Sequence, residues 1–230
     1  STFKSCEKLG SVTLSDSVAS IGESAFSLCT GLSKINLPEG VATIGGKAFL
    51  GCEKLTGVTL PAGLTAMGDG IFKDCPRITN IVIPQGVTEI PADAFRGCSG
   101  LKTLTLPDGV TAIGDYAFAG CDKLTGLTLP AGLVTIGEGA FFYCEKIREL
   151  TIPEGVTEFS IGGNASFYPN AALKSVVWPV SLKDASGFDA AVALETVYYR
   201  GSELEWSLID FGSLAERFAA VNVVCGYEGE

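Results

Sequence analysis

Apolar and polar positions along this chain follow two periods at once. Within a short window they alternate: in Leu55-Thr56-Gly57-Val58-Thr59-Leu60 the apolar residues Val58 and Leu60 point one way and Thr59 the other, as in a half-buried strand. Pro61-Ala62-Gly63 follows as a turn, with Pro expected at the first corner and Gly closing a type I geometry. Leu64-Thr65-Ala66-Met67 then returns two more apolar side chains to the same interior. The next position is Gly68 here and Pro91 one unit later. A site that accepts Pro has negative φ and suits the start of a helix, so one helical turn is predicted over Pro91–Cys98.

Over a longer window the whole pattern returns. Cys6, Cys29, Cys52, Cys75, Cys98, Cys121 and Cys144 stand 23 residues apart throughout, and the stretch from Cys98 to Cys121 represents them all. A fixed repeat of this length is the mark of a solenoid. Burying a large apolar side chain contributes roughly 1.5–3 kcal/mol, while ordering each residue costs about 1.5 kcal/mol, so one coil cannot fold alone. Stacked coils share an interior and add backbone ladder bonds between strands about 4.8 Å apart. The expected fold is a repeat solenoid of 23-residue units, with a long parallel β-sheet on its concave face and short helical turns on the convex side.

Regularity then fails. The segment 159–164 carries three residues more than its counterparts, and Asn170 and Ala191 fall where cysteines are due. Strands are still expected at 176–178 and 197–199. Ser202 and Glu205 have capping-box spacing for a short helix, and 220–224 reads as a last strand. One structural domain is expected: regular coils over 1–159, degenerate coils with an insertion over 160–200, and a C-terminal cap over 201–230. Thr2-Phe3-Lys4-Ser5-Cys6 matches Ala48-Phe49-Leu50-Gly51-Cys52, so the chain opens inside a repeat. Arrays need polar end caps; the expectation is a fragment lacking an upstream cap and export signal, with a first strand near Val12-Thr13-Leu14 whose free edge can pair with another copy.

Composition narrows the function. The formal charge of −10 argues against nucleic acid or an anionic membrane surface as the main partner. Histidine is absent, which removes the usual neutral-pH base and the commonest metal ligand. No apolar run is long enough to insert in a membrane. One thiol per coil without His gives no metal-site spacing, and parallel Cβ vectors in stacked coils hold the sulfurs too far apart for disulfides. The cysteines are expected as buried, inert thiols. No cofactor, metal or catalytic residue is expected. Acid–base pairs such as Glu53-Lys54 and Asp122-Lys123 read as a solvated edge.

The pattern Leu-x-x-Leu-x-Leu-Pro-x-Gly-Val-x-x-Ile-Gly-x-x-Ala-Phe-x-x-Cys resembles the BspA-like leucine-rich repeats of bacterial cell-surface proteins, in register from residue 2 to about 159. The resemblance implies a right-handed leucine-rich-repeat superhelix, export to the cell surface, and adhesion to host or bacterial surface or matrix proteins. Repeat arrays bind along an extended face, which makes the outward strand positions the contact surface: Thr59, Val82, Thr105, Thr128 and Thr151. Thr is also favoured on any exposed pleated sheet. Insertions in arrays map to loops on one face, so Tyr168, within 160–170, and Tyr198 form a localised candidate site. Trp178 and Tyr199 are expected inward, closing the core. The function expected is a non-enzymatic protein-interaction module; the alternatives are a carbohydrate-binding module using those tyrosines, or a passive spacer in a larger surface protein.

Overall fold

A computed structural model describes residues 2–159, 172–183 and 193–229. The chain winds into stacked coils whose strands all pair in parallel with equivalents in neighbouring coils. Ser11–Thr13, Lys34–Asn36, Asn80–Val82, Thr103–Thr105, Glu149–Thr151, Ser175–Trp178, Thr196–Tyr199 and Asn222–Val224 form a first strand row. Register follows the repeat: Val12 pairs with Ile35, Ile81 with Leu104, and Leu150 with Val176, Val197 and Val223 in succession. The middle residue of each three-residue strand between 34 and 151 is buried and its neighbours are exposed, because a pleated strand sends successive side chains to opposite faces.

This row is not one unbroken sheet. Gly57 and Gly126 make single bridges back to Lys34 and Thr103, and among the described residues no strand pairing links 57–60 to 80–82 or 126–129 to 149–151. Glycine inside a strand weakens it, and the two breaks lie 69 residues apart, three repeats.

A second row, not expected from the sequence, lies one corner further on. Ser20–Ile21, Thr43–Ile44, Ala66–Met67, Glu89–Ile90, Ala112–Ile113, Thr135–Ile136 and Glu158–Phe159 stack in parallel in two groups. Between the rows the Pro-x-Gly turn closes with Leu64 N–H donating to Pro61 O at 3.0 Å and Val110 N–H to Pro107 O at 3.1 Å. Pro is therefore the residue before the corner, and the corner itself is Ala62-Gly63, not Pro61-Ala62 as expected.

The predicted helical turn is replaced by consecutive tight turns. Two residues per coil have positive φ: Ser24, Lys47, Gly70, Asp93, Tyr116 and Gly139 at one position, and Ser5, Leu28, Gly51, Asp74, Gly97, Gly120 and Tyr143 at the other. An α-helix needs negative φ throughout, so it cannot form. N–H groups instead alternate between coils. Asp93, Phe95 and Gly97 donate to Asp115, Ala117 and Ala119 of the next coil at 2.7–2.8 Å, while Ala94, Arg96 and Cys98 donate three residues back. The turn wall of each coil is thus tied to the next by backbone bonds.

The interior is one continuous core. Phe3, Phe26, Phe49, Phe72, Phe95, Phe118 and Phe141 stack in a file with ring centroids 5.3–5.7 Å apart, within the range where offset stacking is favourable. At the C-terminal end the file gives way to an aromatic plug. Trp178 and Tyr199 are fully buried, and Trp206 packs on both, with centroids at 6.0 and 5.2 Å, and on Phe211 at 5.0 Å. The short helix Glu203–Trp206 carries the expected capping box between Ser202 and Glu205, and a second short helix, Ala215–Phe218, buries Phe218 against Trp178.

Candidate functional site: the outward face of the first strand row

Backbone pairing places the outward residues in fixed columns. Thr13 stands beside Asn36, Val82 beside Thr105, and Thr151 beside Val177, Tyr198 and Val224. Thr59 and Thr128 occupy the same column, each two residues beyond a bridged glycine. Thr59, Val82, Thr105, Thr128 and Thr151 are all exposed. Val82 is the exception in chemistry: an apolar side chain 62 % exposed in the middle of the face.

At the first break the face holds a recess of about 540 Å³. Thr59 and Val82 border it, with Leu60 and Ile83 beneath and Glu39, Asn80 and Gln85 around the rim. Ala62, with only a methyl side chain, also lines it. The sequence reading named Thr59 and Val82 and missed Asn80, Gln85 and Glu39; the signal was their fixed place in the repeat, Asn80 two residues before the outward column and Glu39 and Gln85 three after it.

Tyr198 lies in the column between Val177 and Val224, half-buried, its ring 4.7 Å from that of Tyr227 and tilted 40°. Tyr168 and the insertion around it lie outside the described residues, so the pairing of Tyr168 with Tyr198 has no geometry to report.

The cysteines form an internal file beside the phenylalanines. Each thiol from Cys29 to Cys144 donates to the carbonyl of the Phe one coil back: Cys52 Sγ to Phe26 O at 3.2 Å, Cys98 Sγ to Phe72 O at 3.1 Å, Cys144 Sγ to Phe118 O at 3.2 Å. All eight cysteines are free. Burial, the largest cause, pushes the thiols of Cys52 and Cys98 up to about 12 and those of Cys75, Cys121 and Cys144 well above the ordinary range. Thiolate is the reactive form, so these are packing groups. Cys6, in the outermost coil, is exposed and Cys225 half-exposed. Among the described residues no group of three or more His, Cys, Asp or Glu is arranged to hold a metal ion. Asp122 has its carboxyl raised by burial first and the neighbouring Glu145 second, as two acids on adjacent coils require. No described helix is long and apolar enough to cross a membrane.

Comparison with known proteins places this geometry. A BspA type leucine-rich-repeat region of six copies matches residues 1–121 and 65–188. A leucine-rich repeat protein of T. pallidum is 37 % identical over 63 % of this chain and 68 % of its own, with a TM-score of 0.60. A leucine-rich cell surface protein of Faecalibacterium prausnitzii is 27 % identical over 92 % of this chain and 65 % of its own, TM-score 0.59. A leucine-rich repeat protein of Bacteroides ovatus is 27 % identical over 86 % of this chain and 57 % of its own, TM-score 0.68. The chain thus spans between 57 % and 68 % of the length of these solved relatives. No curated protein matches it. With the 23-residue parallel coils, the buried Phe and Cys files and the repeat model covering most of its length, the chain belongs to the BspA-type leucine-rich-repeat family.

Proposed function

We propose that this chain is an extracellular protein-interaction module, adhesin-like, that contacts host or bacterial surface proteins through the outward face of the first strand row. The observation that carries the reading is Val82 at 62 % exposure in a column of short β-branched residues held over a fully buried core. A preformed surface loses little entropy on binding, and exposed apolar groups rimmed by polar ones mark contact sites. Surface placement is supported by the family relationship and by the F. prausnitzii relative, which is described as a cell surface protein. Catalysis has no support in the arrangement of side chains on this face, which carries hydroxyl, amide and apolar groups.

The test is binding of purified chain to immobilised host-matrix proteins and to whole bacterial cells by biolayer interferometry. Val82→Asp, Thr105→Asp and Thr128→Asp are each expected to weaken binding severalfold, and the triple variant to abolish it. Ser20→Asp, on the second row, should leave binding unchanged. Loss of all binding from one variant with silence from the others contradicts a spread contact. A carbohydrate reading rests on the Tyr198–Tyr227 pair: a defined sugar on a glycan array, lost in Tyr198→Ala, would select it instead.

A further inference from the structure

The flanks of the first strand row carry a base and an acid together in three of its coils. Three residues or two before the strand centre column stand Lys34, Lys102 and Arg148; three residues after that column stand Glu39, Asp108 and Glu154. Lys34 belongs to the same coil as Glu39, Lys102 to the same coil as Asp108, and Arg148 to the same coil as Glu154. All six are exposed. Three coils between 34 and 151 carry neither: Thr56-Gly57 goes with Ala62, Thr79-Asn80 with Gln85, and Thr125-Gly126 with Ala131; the first coil, outside this span, has Asp16 without a base. Between the flanks the columns Asn36, Thr59, Val82, Thr105, Thr128 and Thr151 carry no charge. In a chain of net charge −10, this makes a face with one basic edge, one acidic edge and a neutral centre.

Such a face is complementary to itself in one orientation. Turning a second copy about an axis parallel to the coil stack reverses strand direction and keeps coil order, so Lys102 meets Asp108 of the second copy and Lys34 meets its Glu39. The perpendicular rotation sets base against base. Six coils at about 4.8 Å and roughly seven residues of strand at about 3.3 Å give an area near 670 Å² per copy, or about 1,300 Å² in total, the lower end of stable interfaces. The Phe file, at 5.3–5.7 Å per coil, exceeds the strand spacing by less than about 1 Å, so curvature over six coils is gentle and two such faces can meet. Coil seven contributes least, because Arg148 stands next to Glu149 and Glu154 already accepts from Val180 N–H at 3.1 Å and pairs with Arg200 at 3.7 Å.

We propose that the first strand row binds a second copy of this chain face to face, in parallel, as a weak reversible dimer. The proposal rests on the same face as the interaction reading and names a partner for it. Sedimentation velocity from micromolar to submillimolar chain at low salt reads it out. Wild type should dimerise reversibly and less so at high salt. Lys102→Asp alone and Asp108→Lys alone should each weaken the dimer about three- to tenfold by facing like charges, and the double variant should recover it; Lys34→Glu with Glu39→Lys repeats the test on another coil. A strict monomer overturns the proposal. So does a dimer indifferent to the reversals, the result expected of edge-to-edge pairing through Ser11–Thr13, and so does a double variant no better than the singles. A monomer that still binds cells through Val82 and Thr105 removes the dimer and leaves the interaction module standing; a charge-dependent dimer that binds no other protein does the reverse.

Discussion

At the scale of single residues, the fold is governed by how close neighbouring coils approach. A Cβ built on Gly68 would lie 2.2 Å from the backbone nitrogen of Gly46, whereas one on Gly57 meets nothing within 4 Å. Gly68→Ala is therefore expected to destabilise by more than about 2 kcal/mol, as overpacking against backbone does. Gly57→Ala should be neutral or slightly stabilising. Urea denaturation of the two variants makes the comparison, and equal effects would show that coil spacing yields to the extra methyl. The thiols supply a pH prediction with a definite sign. Cys52 and Cys98 lose their protons near pH 12 when folded and near 9.0 when unfolded, so between those values the unfolded chain holds fewer protons and stability falls as pH rises. Each contributes a loss of about 1.4 kcal/mol per pH unit in that window and nothing below it. Melting temperature should be flat from neutral pH to about 8.5 and drop steeply beyond. Thiol labelling at pH 8 should reach Cys6 and Cys225 and spare the six others until denaturant is added.

At the scale of elements, the unit is the file, not the strand. A strand of two or three residues has too few ladder bonds to persist alone; it persists because a ring, a thiol and several aliphatic side chains from the same coil enter continuous internal columns. Phe95 lies between Phe72 and Phe118 at 5.7 and 5.5 Å, so Phe95→Ala opens a gap that both neighbours border. The expected cost is about 3–5 kcal/mol. Phe3→Ala, at the 39 % exposed end of the file, should cost far less. A thermal melt of each resolves the difference, and similar losses would mean that the rings act singly and not as a stack.

At the scale of the whole molecule, stability and recognition are both sums over coils. Because each coil contacts only its neighbours, removing one full repeat rejoins equivalent surfaces. Deletion of residues 99–121, which contains 23 residues, should leave a folded, shorter solenoid with a modestly lower melting temperature. A deletion that stops three residues short shifts every later side chain out of its column and should abolish cooperative unfolding. Circular dichroism with a thermal melt tests both, and a folded product from the off-register deletion would contradict the columnar core. The proposed binding face obeys the same sum, with affinity built from many small contacts and no dominant residue.

Much of this was legible in the residues. The 23-residue step of the cysteines and the Ser202–Glu205 capping box each correspond to a feature of the folded chain; the alternation around Val58 and Leu60 is realised as alternating burial, though the segment makes only a single bridge and no strand. The second strand row was not legible, because Thr43–Ile44 or Ala66–Met67 is too short to show a period and becomes a strand only through pairing with the next coil. The turn run at 91–98 was misread as helical for a related reason: the positive φ at Asp93 is stabilised by N–H bonds to residues 115–119, partners that local sequence does not contain. The breaks after Gly57 and Gly126, and the recess beside Val82 at the first of them, likewise depend on coils drawn together in space. What the sequence determined by itself was periodicity, since a repeated pattern of apolar positions admits only a stack that lines them up. Which backbone groups bond across coils, and which outward residues end up beside one another, were decided by the tertiary structure, because those contacts join residues 21 or more positions apart.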